Sequence, residues 1–98
     1  MAETPVIEVQ WSSLATDDAL AIVEFIADDN PRAAEALVDL IEQRVGQLAI
    51  MPNRGRVGRV TGTRELVRTP NYIAVYRHEA GRVHVLRVLH SMQQWPRT

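Results

Sequence analysis

The chain has 98 residues, a formal net charge of −1, 46% apolar and 23% charged residues. This is the profile of an ordinary folded chain with one core, not of a disordered segment, and residues 1–98 are expected to form a single domain. The absence of cysteine excludes disulfides, thiol nucleophiles and thiolate metal ligands, and no run approaches the roughly 20 apolar residues of a membrane span. The first residues, MAETPVIEVQW, lack a basic segment leading into an apolar one, so a cytoplasmic location is expected.

Residues 5–11 alternate Ile7, Val9 and Trp11 against Val6, Glu8 and Gln10, the period-2 pattern of a half-buried strand. Ser12 or Ser13 can cap the helix that follows, in which Ala15, Ala19, Ile22, Val23 and Ile26 share one face and Asp17, Asp18 and Glu24 face water. Asp29-Asn30-Pro31 ends that helix near Asp28 and starts another, because Asn30 can cap and proline is favoured at the first helical position. Ala34, Leu37, Val38, Ile41, Val45 and Leu48 keep helical spacing until Pro52. The pair reads as a helical hairpin, and its apolar stripe needs a sheet to cover it.

The second half supplies that sheet. Arg54 to Gly62 is glycine-rich and basic and reads as a loop leading into a strand at 63–68. Thr69-Pro70-Asn71 is a turn, and Tyr72–Arg77 and Arg82–His90 are further strands joined around Glu79-Ala80-Gly81. The order is β-α-α-β-β-β, an α+β fold with the helical hairpin packed on one face of an antiparallel sheet. Strict alternation would turn Ile73, Val75, Leu86 and Val88 toward the helices, beside His84 and His90. It would leave Tyr72, Ala74, Tyr76, Val85, Arg87 and Leu89 on the outer face.

The near-zero net charge hides an asymmetry. Residues 1–53 hold Arg32 and Arg44 against ten acidic residues, whereas residues 54–98 hold nine arginines against Glu65 and Glu79. There is no lysine, so every permanent side-chain cation is a guanidinium able to grip a carboxylate or phosphate in a fork. A basic half of this kind commonly faces a nucleic acid, a nucleoprotein enzyme or an acidic partner chain.

This order of elements resembles the RelE/ParE superfamily of small bacterial toxins. The resemblance is carried by Asn30-Pro31 between the helices, Gly62-Thr63-Arg64-Glu65-Leu66, Tyr72-Ile73-Ala74-Val75-Tyr76-Arg77, and Val85-Leu86-Arg87-Val88-Leu89-His90 followed by Gln94-Trp95-Pro96. It implies the toxin of a type II toxin-antitoxin module, neutralised in a hetero-oligomer by a cognate antitoxin, ParD-like or related, without a cofactor. One branch of the superfamily cuts mRNA on the ribosome, using lysines and arginines on the sheet; the other, ParE-like, poisons DNA gyrase. The positions where the nuclease branch carries two lysines and an arginine read Arg64, Leu66 and Ile73 here, and neither leucine nor isoleucine can donate to a phosphate. The resemblance therefore implies a gyrase inhibitor, with a RelE-like mRNA interferase or a non-toxic binding relative as alternatives.

The residues singled out for partner binding are Arg64, Arg68, Tyr72, Arg77, Arg87 and Trp95. A nuclease would have to use Arg64, Arg68, Arg87 and His90. Each also has a plainer role: arginines as surface charges with a cross-strand partner, tyrosines and Trp95 in packing, and Arg54, Arg56 and Arg59 in a solvated loop. His78, His84 and His90 do not have metal-ligand spacing without cysteines, and no metal is expected.

Overall fold

A computed structural model describes residues 7–67 and 72–90; Arg68, the turn expected at 69–71 and Trp95 lie outside them. The elements are β1 (Glu8–Trp11), α1 (Ser13–Asp29), α2 (Pro31–Gly46), a 3-10 turn (Gln47–Ala49), β2 (Arg56–Val57), β3 (Arg64–Val67), β4 (Tyr72–Glu79) and β5 (Arg82–His90). They form an α+β fold, with a five-stranded sheet in the order β1-β5-β4-β3-β2. The pairs β2–β3, β3–β4 and β4–β5 are antiparallel, but β1 joins β5 in parallel. The parallel edge follows from the two-residue strand β2, which the sequence pattern had placed in a loop. If every connection reverses the chain, three strands after the helices would end antiparallel to β1, and a fourth adds the reversal that makes β5 parallel.

Both helix starts use the residues read from the sequence. The Ser12 hydroxyl accepts a hydrogen bond from the Ala15 N–H at 3.0 Å and donates to the Leu86 carbonyl at 2.8 Å, so one side chain caps α1 and ties it to β5. Asn30 closes α1 through its N–H to the Ile26 carbonyl and caps α2 by accepting from the Ala33 N–H, with Pro31 at the first helical position. Helix α2 stops at Gly46 instead of running toward Pro52, and the 3-10 turn then carries Leu48 into the core.

The main core gathers Ala15, Val45, Leu48, Leu66, Ala74, Tyr76, Val83, Val85 and Val88, with Ile22 and Ile41 packed against it. Ile73, Val75 and Leu89 form a separate buried group. The polarity of β4 is therefore opposite to the alternation read from the sequence: Ala74 and Tyr76 face the helices, while Ile73 and Val75 lie on the other face. In β5 the alternation is broken by a bulge. Val75 pairs with Arg87 but Tyr76 with Val85, so Leu86 is the extra residue in β5. Val83 and Val85 reach the core at a spacing of two and Val88 at three, which no period-2 pattern allows. Arg87 and Leu89 keep the outer-face register expected for them, whereas Val85 turns inward.

The β4–β5 hairpin turns through Ala80 at φ 53° and Gly81 at φ 71°, the two left-handed positions of a type I′ turn. Glycine adopts this region freely, but a Cβ is strained there by roughly 1–2 kcal/mol. Asparagine tolerates it better, so Ala80→Asn should raise the urea midpoint without changing the slope of the transition. The gain should be on the order of 0.5–1 kcal/mol. A lower midpoint would show that the alanine conformation carries no strain.

Candidate functional site

The arginines of the second half are mostly engaged within the chain. Arg54 donates to the Gln47 side chain at 3.1 Å, Arg56 and Arg59 converge on Glu65, and Arg82 lies 3.5 Å from Glu8 across the β1–β5 pair. Arg64 donates to the Asn53 and Gly55 carbonyls at 3.2 and 2.8 Å.

Arg87 makes the tightest of these contacts. Its Nε and Nη2 donate to the two carboxylate oxygens of Asp18 at 2.7 and 3.0 Å, and the same carboxylate accepts the Val88 backbone N–H at 3.0 Å. Both side chains are largely covered, at 23% and 17% exposure. The hydrogen bond that Arg87 donates to Asp18 raises the Arg87 pKa against the opposing effect of burial, and the nearby negative charge adds to the rise. Asp18, assigned to the wet side of α1 by periodicity, instead docks that helix onto β5.

The segment after α2 is held by two buried polar side chains. Tyr76, fully buried, accepts from the Gly55 N–H and donates to the Pro52 carbonyl, both at 2.8 Å. A Cβ on Gly55 would stand 2.7 Å from the Tyr76 ring, so only glycine lets the backbone come this close. Burial raises the Tyr76 pKa above 10.0, although the Gly55 hydrogen bond and the charge of Arg64 oppose it, and the phenol stays protonated to donate. Glu65, 1% exposed, accepts from Arg56 Nη2 and from the Arg59 backbone N–H, both at 3.0 Å. Burial pushes the Glu65 carboxyl up, but the Arg59 N–H, the Arg56 guanidinium and the charges of both arginines outweigh it and hold the pKa below 4.5. Arg54 to Gly62 is thus a tethered arm containing β2, not a loose basic loop.

Cross-strand partners share a face, so the register shows which candidate residues can meet. Arg64 pairs with Tyr76 and takes the helix side, whereas Arg87 pairs with Val75 on the opposite face. His90 pairs with Tyr72 in an edge-on contact with ring centroids 5.5 Å apart, on the Tyr76 side. The described members of the set required for a nuclease are therefore divided between two faces. Arg77 pairs with His84 on the helix-free face and lies 4.0 Å from Glu79. Among the described residues, no group of three or more His, Cys, Asp or Glu could hold a metal ion.

Sequence reasoning missed an apolar cleft of about 350 Å³ lined by Trp11, Leu20, Val23, Val38 and Ile41, with Glu42 at its side. Leu14, Leu20 and Phe25 are also exposed along α1. The signal was present: α1 is apolar on more faces than the core requires.

Two measurements probe these contacts. Asp18→Ala should lower stability by on the order of 2 kcal/mol, through loss of the charged pair and of the Val88 acceptor; an unchanged urea midpoint would remove Asp18 as the link between α1 and β5. Glu65 has a depressed folded pKa, so its stabilisation is complete above the unfolded value near 4.5 and is lost as pH falls through the folded value. Glu65→Gln should therefore cost about 1–3 kcal/mol at neutral pH, with the difference from the parent shrinking as unfolding is measured toward pH 3. A constant difference would exclude the linkage.

Comparisons with known proteins agree with this architecture. Residues 9–95 match the family described as the ParE toxin of the type II toxin-antitoxin system parDE. The Y4kP protein of Sinorhizobium fredii is 39% identical over 89 residues, covering 90% of this chain and 92% of that one. Toxin RelE2 of Caulobacter vibrioides is 34% identical over 84 residues, covering 86% and 94%. Among solved structures, a chain of the chromosomal ParDE toxin-antitoxin system from P. aeruginosa superposes with a TM-score of 0.77 at 26% identity, over 89% of this chain and 98% of that one. The chain belongs to the ParE toxin family, within the RelE/ParE superfamily of type II toxin-antitoxin toxins.

Proposed function

We propose that this toxin acts by binding, as an inhibitor of DNA gyrase, and not by cutting RNA. The observation that carries the reading is the fate of the three positions where the nuclease branch keeps its cations. Leu66 and Ile73 are each 4% exposed and belong to buried apolar groups, and Arg64 is fixed to two backbone carbonyls. Leucine and isoleucine offer no donor to a phosphate, and turning Arg64 toward one would release the arm that it holds. The division of Arg64, Arg87 and His90 between two faces supports the same reading.

In this proposal the whole chain, residues 1–98, is one cytoplasmic toxin domain, and a ParD-like antitoxin silences it in a hetero-oligomer. The apolar cleft beside α1 suits the apolar face of an amphipathic antitoxin helix that orders on binding. Arg64, Arg68, Tyr72, Arg77, Arg87 and Trp95 remain the residues proposed for partner contact. Among them, Arg64 and Arg87 would have to keep or exchange the internal partners described above. The name of the RelE2 relative favours a second reading, a ribosome-dependent mRNA interferase using Arg64, Arg68, Arg87 and His90.

Purified toxin should inhibit supercoiling by DNA gyrase and leave ribosome-bound mRNA intact, and its induction without antitoxin should cause filamentation and an SOS response. Cleaved mRNA with normal supercoiling would overturn the proposal in favour of the nuclease reading. Harmless overexpression with neither effect would instead indicate a relative retained as a binding module.

A further inference from the structure

A second cleft, of about 410 Å³, opens where β1 meets the helix-free face of the sheet. Gln10, Trp11, Arg77, Glu79, His84 and Leu86 line it. Gln10, His84 and Arg77 are consecutive cross-strand neighbours, since Gln10 pairs with His84 and His84 with Arg77. Their side chains therefore stand in a row on one face.

Arg77 differs from three other arginines of the sheet. Arg56, Arg64 and Arg87 each donate short hydrogen bonds to an oxygen of the chain. Arg77 makes none among the described residues: its Nε is covered and without an acceptor, and its Nη1 is 4.0 Å from Glu79, beyond hydrogen-bond reach. The side chain is nevertheless 41% exposed, so the guanidinium can be reached from the cleft. His84 likewise has no side-chain partner among the described residues. A covered donor without an acceptor beside an unpaired imidazole is an arrangement that an incoming anion would stabilise.

We infer that this cleft is a subsite for one carboxylate, supplied by an aspartate or glutamate side chain of the antitoxin. Arg87 shows the geometry within the same molecule, where Nε and Nη2 grip the two oxygens of Asp18. A carboxylate laid along the same edge of Arg77, after a small rotation that uncovers Nε, would satisfy that donor and leave the imidazole of His84 within its reach. The surroundings favour an isolated carboxylate over a nucleic-acid backbone. Glu79 borders the cleft and Glu8 stands on the neighbouring strand, so a chain of phosphates would meet repulsion, whereas the stem of an acidic side chain can rest on Trp11 and Leu86. The identity of the partner rests on the toxin-antitoxin reading; the carboxylate site does not.

The test is an NMR titration of the whole toxin, following the Arg Nε–Hε and His ring signals, with acetate, inorganic phosphate and chloride at equal ionic strength. Acetate should give saturable shifts at Arg77 and His84 that are absent at Arg82, and Arg77→Gln should abolish the His84 shift while the rest of the spectrum stays in place. No saturable shift, an equal response at Arg82, or saturation by phosphate at lower concentration would overturn the site. In the toxin-antitoxin complex, Arg77→Gln should raise Kd by about tenfold, as loss of one charge-assisted pair predicts. An unchanged Kd alongside a positive acetate titration would overturn the antitoxin as the source of the carboxylate while leaving the site intact. Failure of the antitoxin reading itself would appear separately, as no complex at all.

Discussion

The fold depends on how the outer edge of β5 is satisfied. This strand lies between β4 and an edge that β1 covers only as far as the pairing of Trp11 with Val85. Beyond that point the backbone would be left without partners, at a cost comparable to a lost hydrogen bond for each group. The start of α1 takes over: the Ser12 N–H donates to the Val85 carbonyl at 2.9 Å, the Ser12 hydroxyl to Leu86, and Asp18 receives the N–H of Val88. A helix thus completes a strand edge, and the bulge at Leu86 lies where the change of partner occurs. Bulges are used in this way to end regular pairing and redirect side chains.

That single constraint explains what could and could not be read from the sequence. The helix boundaries were legible because Ser12, Asn30 and Pro31 act locally, through bonds to residues three or four positions away. The β5 span was legible from its β-branched content, and Arg82–His90 forms as expected. The polarity of β5 was not legible, because it switches at one inserted residue, where a helix some 70 residues earlier in the chain takes over the strand edge. Two adjacent apolar residues, Val85 and Leu86, were the only local hint that alternation breaks there. The strand β2 was hidden for a different reason. Its two residues, Arg56 and Val57, have no pattern of their own and are held by Glu65 on the neighbouring strand.

The candidate site was less legible than the fold, because charge composition does not reveal pairing. A half with nine arginines against two acids suggests an open cationic surface. In the folded chain, Arg87 reaches Asp18 and Arg82 reaches Glu8, so acids of the first half neutralise arginines of the second. Glu65 absorbs two more arginines within the second half itself. The asymmetry of the sequence is therefore partly an instruction for docking the helical half onto the sheet. Partly covered, bidentate pairs such as Asp18–Arg87 fix orientation more effectively than exposed ones, whose net worth is small.

A binding protein and a nuclease ask different things of such a sheet. A nuclease needs several cations free to converge on one phosphate, held in place by residues that are not themselves consumed. Here Arg64 and Arg87 are spent on structure, the positions at Leu66 and Ile73 are filled by core, and the register puts Arg87 on the face opposite Arg64 and His90. A binding protein can afford this arrangement, because its affinity comes from apolar surface and a few uncommitted polar groups. The exposed leucines and Phe25 of α1, the cleft that Leu20 lines and the Arg77 Nε without an acceptor are features of that kind. What the folded chain offers to other molecules is thus the small remainder left after its arginines have assembled the fold.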